Sequence, residues 1–247
     1  MSSIKIDDIL ELEKQISYEE CRQLWEDENT LVHQDTSERI VNEVTRHIIT
    51  RCGLNKDDVL LNVGCGDGLF DKAIIKIVKT LLGIDFSLQK ISVAKNRVPE
   101  GIYYNHSFLE TYPSDLKKFG ITKIYSYEVV QYCNPDDIER FIINQLKLCT
   151  EDREYVVCHL DIPDIDKAHL YYQRIAGNDC PVSREMLAGR VKTLFGDGSY
   201  WHSMEQFESV ANRYGLNCEI GDAHYWDYRS DVCFRFNGKE IQSRIWE

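Results

Sequence analysis

The sequence has no apolar run approaching the roughly 20 residues that cross a bilayer, no signal-peptide-like apolar stretch at its start, and no Cys-x-x-Cys pair among its nine cysteines. The first two absences argue against a membrane-spanning or exported protein, and the third against a zinc ribbon or a dithiol redox motif. The odd cysteine count argues against a closed disulfide framework. Cys65, Cys133 and Cys158 stand in apolar, strand-like contexts where a thiol behaves as a small hydrophobe. Reduced thiols, a cytoplasmic location and no metal site are therefore expected. Cations are also short, with 29 Lys and Arg against 41 Asp and Glu and a net charge of −12. That balance disfavours DNA and RNA, whose binding is driven by cations. With 247 residues, 43% of them hydrophobic, the chain has enough apolar material for one sizeable core.

The most informative segment runs from Asp58 to Gly68. Val59, Leu60, Leu61 and Val63 make the short apolar run of a parallel strand covered on both faces. Gly64, Gly66 and Gly68 then allow a tight turn and close approach of the backbone to a ligand. Leu69, Phe70, Ala73, Ile74 and Ile77 recur at helical spacing, so strand, glycine turn and helix follow in the order of a ligand-binding βα unit. A second strand over Thr80–Ile84 ends in Asp85, 85 − 68 = 17 residues past the last glycine. An acid at such a strand tip accepts hydrogen bonds from ribose hydroxyls. A nicotinamide dinucleotide and S-adenosylmethionine both fit this pattern. A dinucleotide site wants its third glycine at the position of Leu69, where a pyrophosphate meets the helix N-terminus. Here the third glycine comes one residue earlier.

The motif Asn62-Val63-Gly64-Cys65-Gly66-Asp67-Gly68, with Gly83-Ile84-Asp85-Phe86-Ser87, resembles the class I S-adenosylmethionine-dependent methyltransferases. The departure is Asn62, where that family usually carries an acid. The resemblance covers approximately residues 55 to 236. It implies an α/β Rossmann-like fold, a seven-stranded and mostly parallel sheet with helices on both faces and an antiparallel last strand. It further implies that Asn62, Gly64, Cys65, Gly66, Gly68, Asp85 and Phe86 hold S-adenosylmethionine. Ser107 and Phe108 would meet the adenine without the usual acid, and Glu128 would lie at the methionine end after the fourth strand, Lys123–Val130. Further strands are expected at Ile102–Tyr104, Tyr155–Asp161, Asn217–Ile220 and Asp231–Phe236. Helices are expected after the cap Ser87 and after Asn134-Pro135. Ser203-Met204-Glu205-Gln206 reads as a capping box for a helix ending near Gly215.

Residues 1–54 are read as an N-terminal helical cap over the active site, with helices near Ile6–Leu12, Tyr18–Trp25 and Ser37–Ile49. Residues 55–247 are read as the core, with a substrate-side insertion at about 161–202, the whole forming one compact unit. Tyr18, Trp25, His33, Tyr132 and Trp201 are the substrate-binding candidates. An oxygen acceptor needs a base that titrates near neutrality. His159 and His202 are the candidates, with Asp161 as an orienting partner or metal ligand. Asp161-Ile162-Pro163-Asp164 and Trp201-His202-Ser203 resemble bacterial methyltransferases that decorate sugars of surface polysaccharides. The expected acceptor is accordingly a small molecule, a sugar or a phosphorylated or nucleotide-linked precursor. The expected assembly is a monomer or homodimer. A protein methyltransferase and a cofactor-binding module without activity are the alternatives.

Overall fold

The computed structural model describes residues 37–176, 182–187, 193–194 and 199–245. Tyr18, Trp25, His33 and the two helices expected near them lie outside the described residues. In chain order the elements are helix α1 (Glu38–Cys52), strand β1 (Val59–Val63), α2 (Asp71–Ile74), β2 (Thr80–Asp85), α3 (Leu88–Arg97), β3 (Ile102–Asn105), β4 (Lys123–Tyr127), α4 (Ile138–Leu146) and β5 (Glu154–Pro163). They continue with α5 (Ala168–Ala176), α6 (Arg184–Leu187), β6 (Thr193–Leu194), β7 (Ser199–Tyr200), α7 (Met204–Tyr214), β8 (Asn217–Asp222), β9 (Arg229–Asn237) and α8 (Gly238–Ile245). No helix among the described residues is long and apolar enough to cross a membrane.

Seven strands form one sheet in the order β3-β2-β1-β4-β5-β9-β8. The pairs from β3 to β5 are parallel, and β9 runs antiparallel to both β5 and β8. This is the expected Rossmann-like methyltransferase architecture. The strand period of two divides the core into two layers. Val59, Leu61 and Val63 of β1 face the layer that α4 and α7 fill with Phe141, Ile142, Phe207 and Val210. Leu60 faces the other, with Val44 and Ile48 of α1 and Ile91 and Ala94 of α3. Cys52, Cys65, Cys133, Cys149, Cys158 and Cys233 are buried free thiols. Burial pushes the Cys133 and Cys149 thiols up, as expected of inert packing groups.

Local signals set several boundaries. Ser37 and Ser87 cap α1 and α3 by accepting from the Ile40 and Lys90 amides. Gly53 and Gly215 end α1 and α7 in the left-handed conformation that glycine tolerates best. Three expectations need correction. The helix after the glycine turn is a single turn, because Ile74, Ile75, Ile77 and Val78 are β-branched and β2 begins at Thr80. Ser203 occupies the cap position of α7 without a side-chain cap bond. Leu88, a large apolar residue that would be expected in the core after the Ser87 cap, is 68% exposed.

Candidate active site

A cleft opens at the carboxyl edge of the sheet, with about 950 Å³ of space that includes its open mouth. Asn62, Gly64, Cys65 and Gly66 line it from β1 and its turn, Asp85 and Phe86 from the end of β2, His106 and Phe108 from beyond β3, and Tyr125, Tyr127, Glu128 and Tyr132 from β4 and its exit. This is where an open α/β sheet places its ligands. Gly64, Gly66 and Gly68 all have positive φ. A Cβ on Gly66 would meet nothing within 4 Å, so its backbone borders open space. Gly68 instead packs on α3, where a Cβ would come within 3.2 Å of Ala94, and it is not part of the cleft wall.

The Asp85 carboxylate reaches across to the turn. One oxygen accepts from the Gly66 amide at 2.9 Å, the other from the Ser87 amide at 2.9 Å. Burial raises its pKa, opposed by these two backbone bonds and by Lys90. A carboxylate has about four acceptor sites, so Asp85 keeps capacity for hydroxyl donors in the cleft. Open space over Gly66, this carboxylate and the flat faces of Phe86 and Phe108 together fit an adenosine. Ser107 takes a different part. Its hydroxyl accepts from the Leu109 amide and shapes the turn, while the cleft wall there is His106 and Phe108.

Residues 61–151 match the family model described as "Methyltransferase domain". The chain carries a methyltransferase domain. Its fold is shared by the N-methyltransferase NodS of Bradyrhizobium japonicum WM9, solved with S-adenosyl-L-homocysteine. That protein is 14% identical, with a TM-score of 0.57 over 89% of this chain and 97% of that one. Geranyl diphosphate C-methyltransferase of Streptomyces coelicolor A3(2) is 13% identical, with a TM-score of 0.55 over 89% and 97%. Magnesium protoporphyrin IX methyltransferase of Synechocystis PCC 6803, with bound S-adenosyl-L-homocysteine, is 12% identical, with a TM-score of 0.52 over 87% and 90%. No curated protein matches the sequence. The cofactor of the methyltransferase domain is S-adenosylmethionine.

On the β4 side of the cleft, two non-glycine residues hold left-handed backbone: Glu128, which lines the cleft, at φ 56° and Asp161, which does not, at φ 62°. Glu128 follows the last residue of β4, and Asp161 follows that residue's partner in β5, Leu160, whose carbonyl accepts from the Glu128 amide at 3.1 Å. The β5–β9 register shifts between His159 and Ile162. Such a bulge re-aims a side chain, and here it carries Asp161. The Asp161 carboxyl stands beside that of Glu128. Burial lifts the Asp161 pKa well above the ordinary carboxylate range, Arg229 opposes the rise, and Glu128 adds to it. Arg229 Nη1 donates to the Asp161 carboxylate at 3.0 Å, to its carbonyl at 2.9 Å and to Gln131 Oε1 at 2.7 Å. The Asp161 amide donates to Asp231 Oδ1 at 3.0 Å. Backbone strain held by this many contacts is a mark of functional positions.

The histidines stand elsewhere. β5 continues to Pro163, so His159 lies inside the strand rather than at its tip. It faces the α4 layer, packed on Phe141 and Phe234, and its Nδ1 pairs with Ser126 Oγ at 2.9 Å. Burial drops its pKa to about 3. His202 is fully buried with a pKa lowered to about 4 by burial, its ring beside Phe207. Neither lines the cleft. A base must reach the proton it removes, so this placement does not fit the role expected of either. Trp201 packs with Tyr171, Tyr172 and Tyr228 in a separate small core, whereas Tyr132 does line the cleft. Sequence reasoning missed two acids, Glu128 as a partner of Asp161 and Asp71 beneath the glycine turn. The first had a faint signal, since both acids directly follow apolar strand residues. Among the described residues no group of three or more His, Cys, Asp or Glu could hold a metal ion.

Proposed function

We propose that the chain methylates a small molecule at an oxygen of a sugar, or of a phosphorylated or nucleotide-linked precursor of a bacterial surface polysaccharide. When bound, S-adenosylmethionine supplies an electrophilic methyl group. The glycine turn and Asp85 hold its adenosine end, which leaves its amino-acid end and methyl group toward β1 and β4. The observation that carries the reading is the Glu128–Asp161 pair at that end. Glu128 accepts the proton of the acceptor hydroxyl. Asp161 and Arg229 fix the Glu128 carboxyl in place, and Phe70, Tyr127 and Tyr132 offer aromatic faces to an acceptor ring. The net charge of −12 supports a small acceptor over a nucleic acid. The two strings on which the sugar class rests lie side by side, with the His202 amide donating to the Pro163 carbonyl and the Ile165 amide to the His202 carbonyl, both at 2.9 Å.

The test is product formation, measured as S-adenosylhomocysteine release, across a panel of sugar nucleotides and phosphorylated sugars. Turnover confined to peptides, or to amines, would overturn the acceptor class. Glu128→Gln keeps the shape and removes the charge. Its kcat is expected to fall about 100-fold, the usual loss for a general base, while S-adenosylhomocysteine affinity is retained. A kcat within error of wild type removes Glu128 from the mechanism.

A further inference from the structure

The first position of the glycine motif holds a neutral Asn62, and a negative group lies directly behind it. Asp71, the first residue of α2, is fully buried and accepts from Asn62 Nδ2 at 2.8 Å, from the Tyr103 hydroxyl at 3.0 Å and from the Tyr125 hydroxyl at 3.3 Å. A carboxylate offers only acceptors, so Asn62 must turn its NH2 toward Asp71. Its carbonyl oxygen then occupies the other branch of the amide, and Asn62 lines the cleft.

We infer that Asp71 is a positioning residue that supplies, through Asn62, the negative charge for the ammonium group of the cofactor's amino-acid end. The inference rests on the methyltransferase reading of the cleft. Three strands and a helix converge to bury this one acid, yet no cation among the described residues pairs with it. A buried carboxylate without a cation is costly, and a cationic group arriving above Asn62 offsets that cost. The chain thereby keeps the charge of an acidic motif while presenting a neutral carbonyl to the ligand.

The surroundings of Asp71 make the effect dependent on pH. Asn62 of β1, Tyr103 of β3 and Tyr125 of β4 donate to it. Asp67 in the glycine turn is the nearby acid and is itself paired with Arg97 of α3 at 2.8 Å. Cys65 lies in the same turn, and α1 contributes the apolar Val44 and Ile48, with Cys52 beside Tyr125. Burial lifts Asp71 to a pKa of about 6, against its three hydrogen bonds. The sign follows: a cationic ligand favours the ionised form, so protons compete with it below about pH 6 and not above.

The experiment is calorimetric binding of S-adenosylhomocysteine and of adenosine, which lacks the amino-acid end, to the full chain between pH 5 and 8. Asp71→Asn is expected to weaken S-adenosylhomocysteine about tenfold at pH 7.5, the scale of one charge interaction at moderate dielectric, and to leave adenosine unchanged. Wild-type affinity should be level above pH 6 and fall by up to about tenfold per unit below it. Asp85, Glu128 and His106 also line the cleft and are intact in the variant, so the difference between the two profiles belongs to Asp71. The exchanged pair N62D/D71N puts the charge on the cleft side and should regain most of the lost affinity. If D71N does not fold, Asn62→Ala carries the test with the same selectivity for the amino-acid end. Equal loss for both ligands, or no loss, overturns the inference, as does an exchanged pair no better than D71N. Wild-type protein that binds neither ligand would instead overturn the methyltransferase reading itself.

Discussion

Replacing Asp85 by alanine is expected to weaken S-adenosylhomocysteine more than 100-fold, beyond what calorimetry resolves, and to lower the melting temperature by roughly 5–10 °C. Both effects come from one carboxylate. It accepts the Gly66 and Ser87 amides at 2.9 Å each, so alanine leaves the buried Ser87 N–H without its acceptor, at about 1–3 kcal/mol, and the half-buried Gly66 N–H at a smaller cost. For a chain of this size that corresponds to a few degrees per kcal/mol. The ligand loses more, because the ribose loses its acceptor and the turn that cradles it loses its anchor. Asp85→Asn separates the two effects. An amide oxygen can keep one of the backbone bonds, so the melting temperature should largely recover while affinity stays low. Calorimetric titration and thermal unfolding of both variants check this, and alanine protein that binds like wild type would refute it.

The second large effect is a contrast between two neighbouring glycines. A Cβ on Gly64 would lie 2.3 Å from Val129 Cγ2 and 3.1 Å from its Cγ1, at a backbone φ of 72°. Valine is stiff at χ1 and this one is buried, so the strain cannot relax cheaply. Gly64→Ala should cost about 1 kcal/mol for the left-handed backbone and about 1–3 kcal/mol more for overpacking, with ligand binding lost. Gly66→Ala carries a similar backbone penalty at φ 55° but meets nothing within 4 Å. It should stay folded, with a modest loss of stability, yet bind S-adenosylhomocysteine poorly because its methyl enters the ligand's space. Denaturant unfolding beside titration distinguishes the two, and equal stability losses would refute the contrast.

What the sequence made legible was local in the chain. The run Val59–Val63, the glycine turn and Asp85 lie within 27 consecutive residues, and their periodicity and spacing identify strand, turn and strand tip directly. The strands and helices beyond them were readable for the same reason, each carrying its own pattern and caps. What escaped depends on distance or on register. His159 stood near the strand end expected at Asp161, but β9 pairs with β5 as far as Pro163, so the histidine lies within the strand and in the core. The Glu128–Asp161 pair sets the exit of β4 beside a position inside β5, and only the parallel pairing of the two strands brings them together. Asp71 sat in plain view within an apolar helical pattern. Its partners come from β1, β3 and β4, so its burial was invisible until the sheet was assembled. The neutral Asn62 was the clue that a charge had to be found elsewhere.

Glu128 and Asp161 both twist into a conformation that glycine would adopt without penalty. Glu128→Gly would shed that tension and could outlast the parent under heat, while losing one of the paired acids of the acceptor corner, whereas glycine at 161 would leave the buried Arg229 without its carboxylate. Selection for robustness alone would therefore erode this corner first, and its upkeep has to come from selection for turnover.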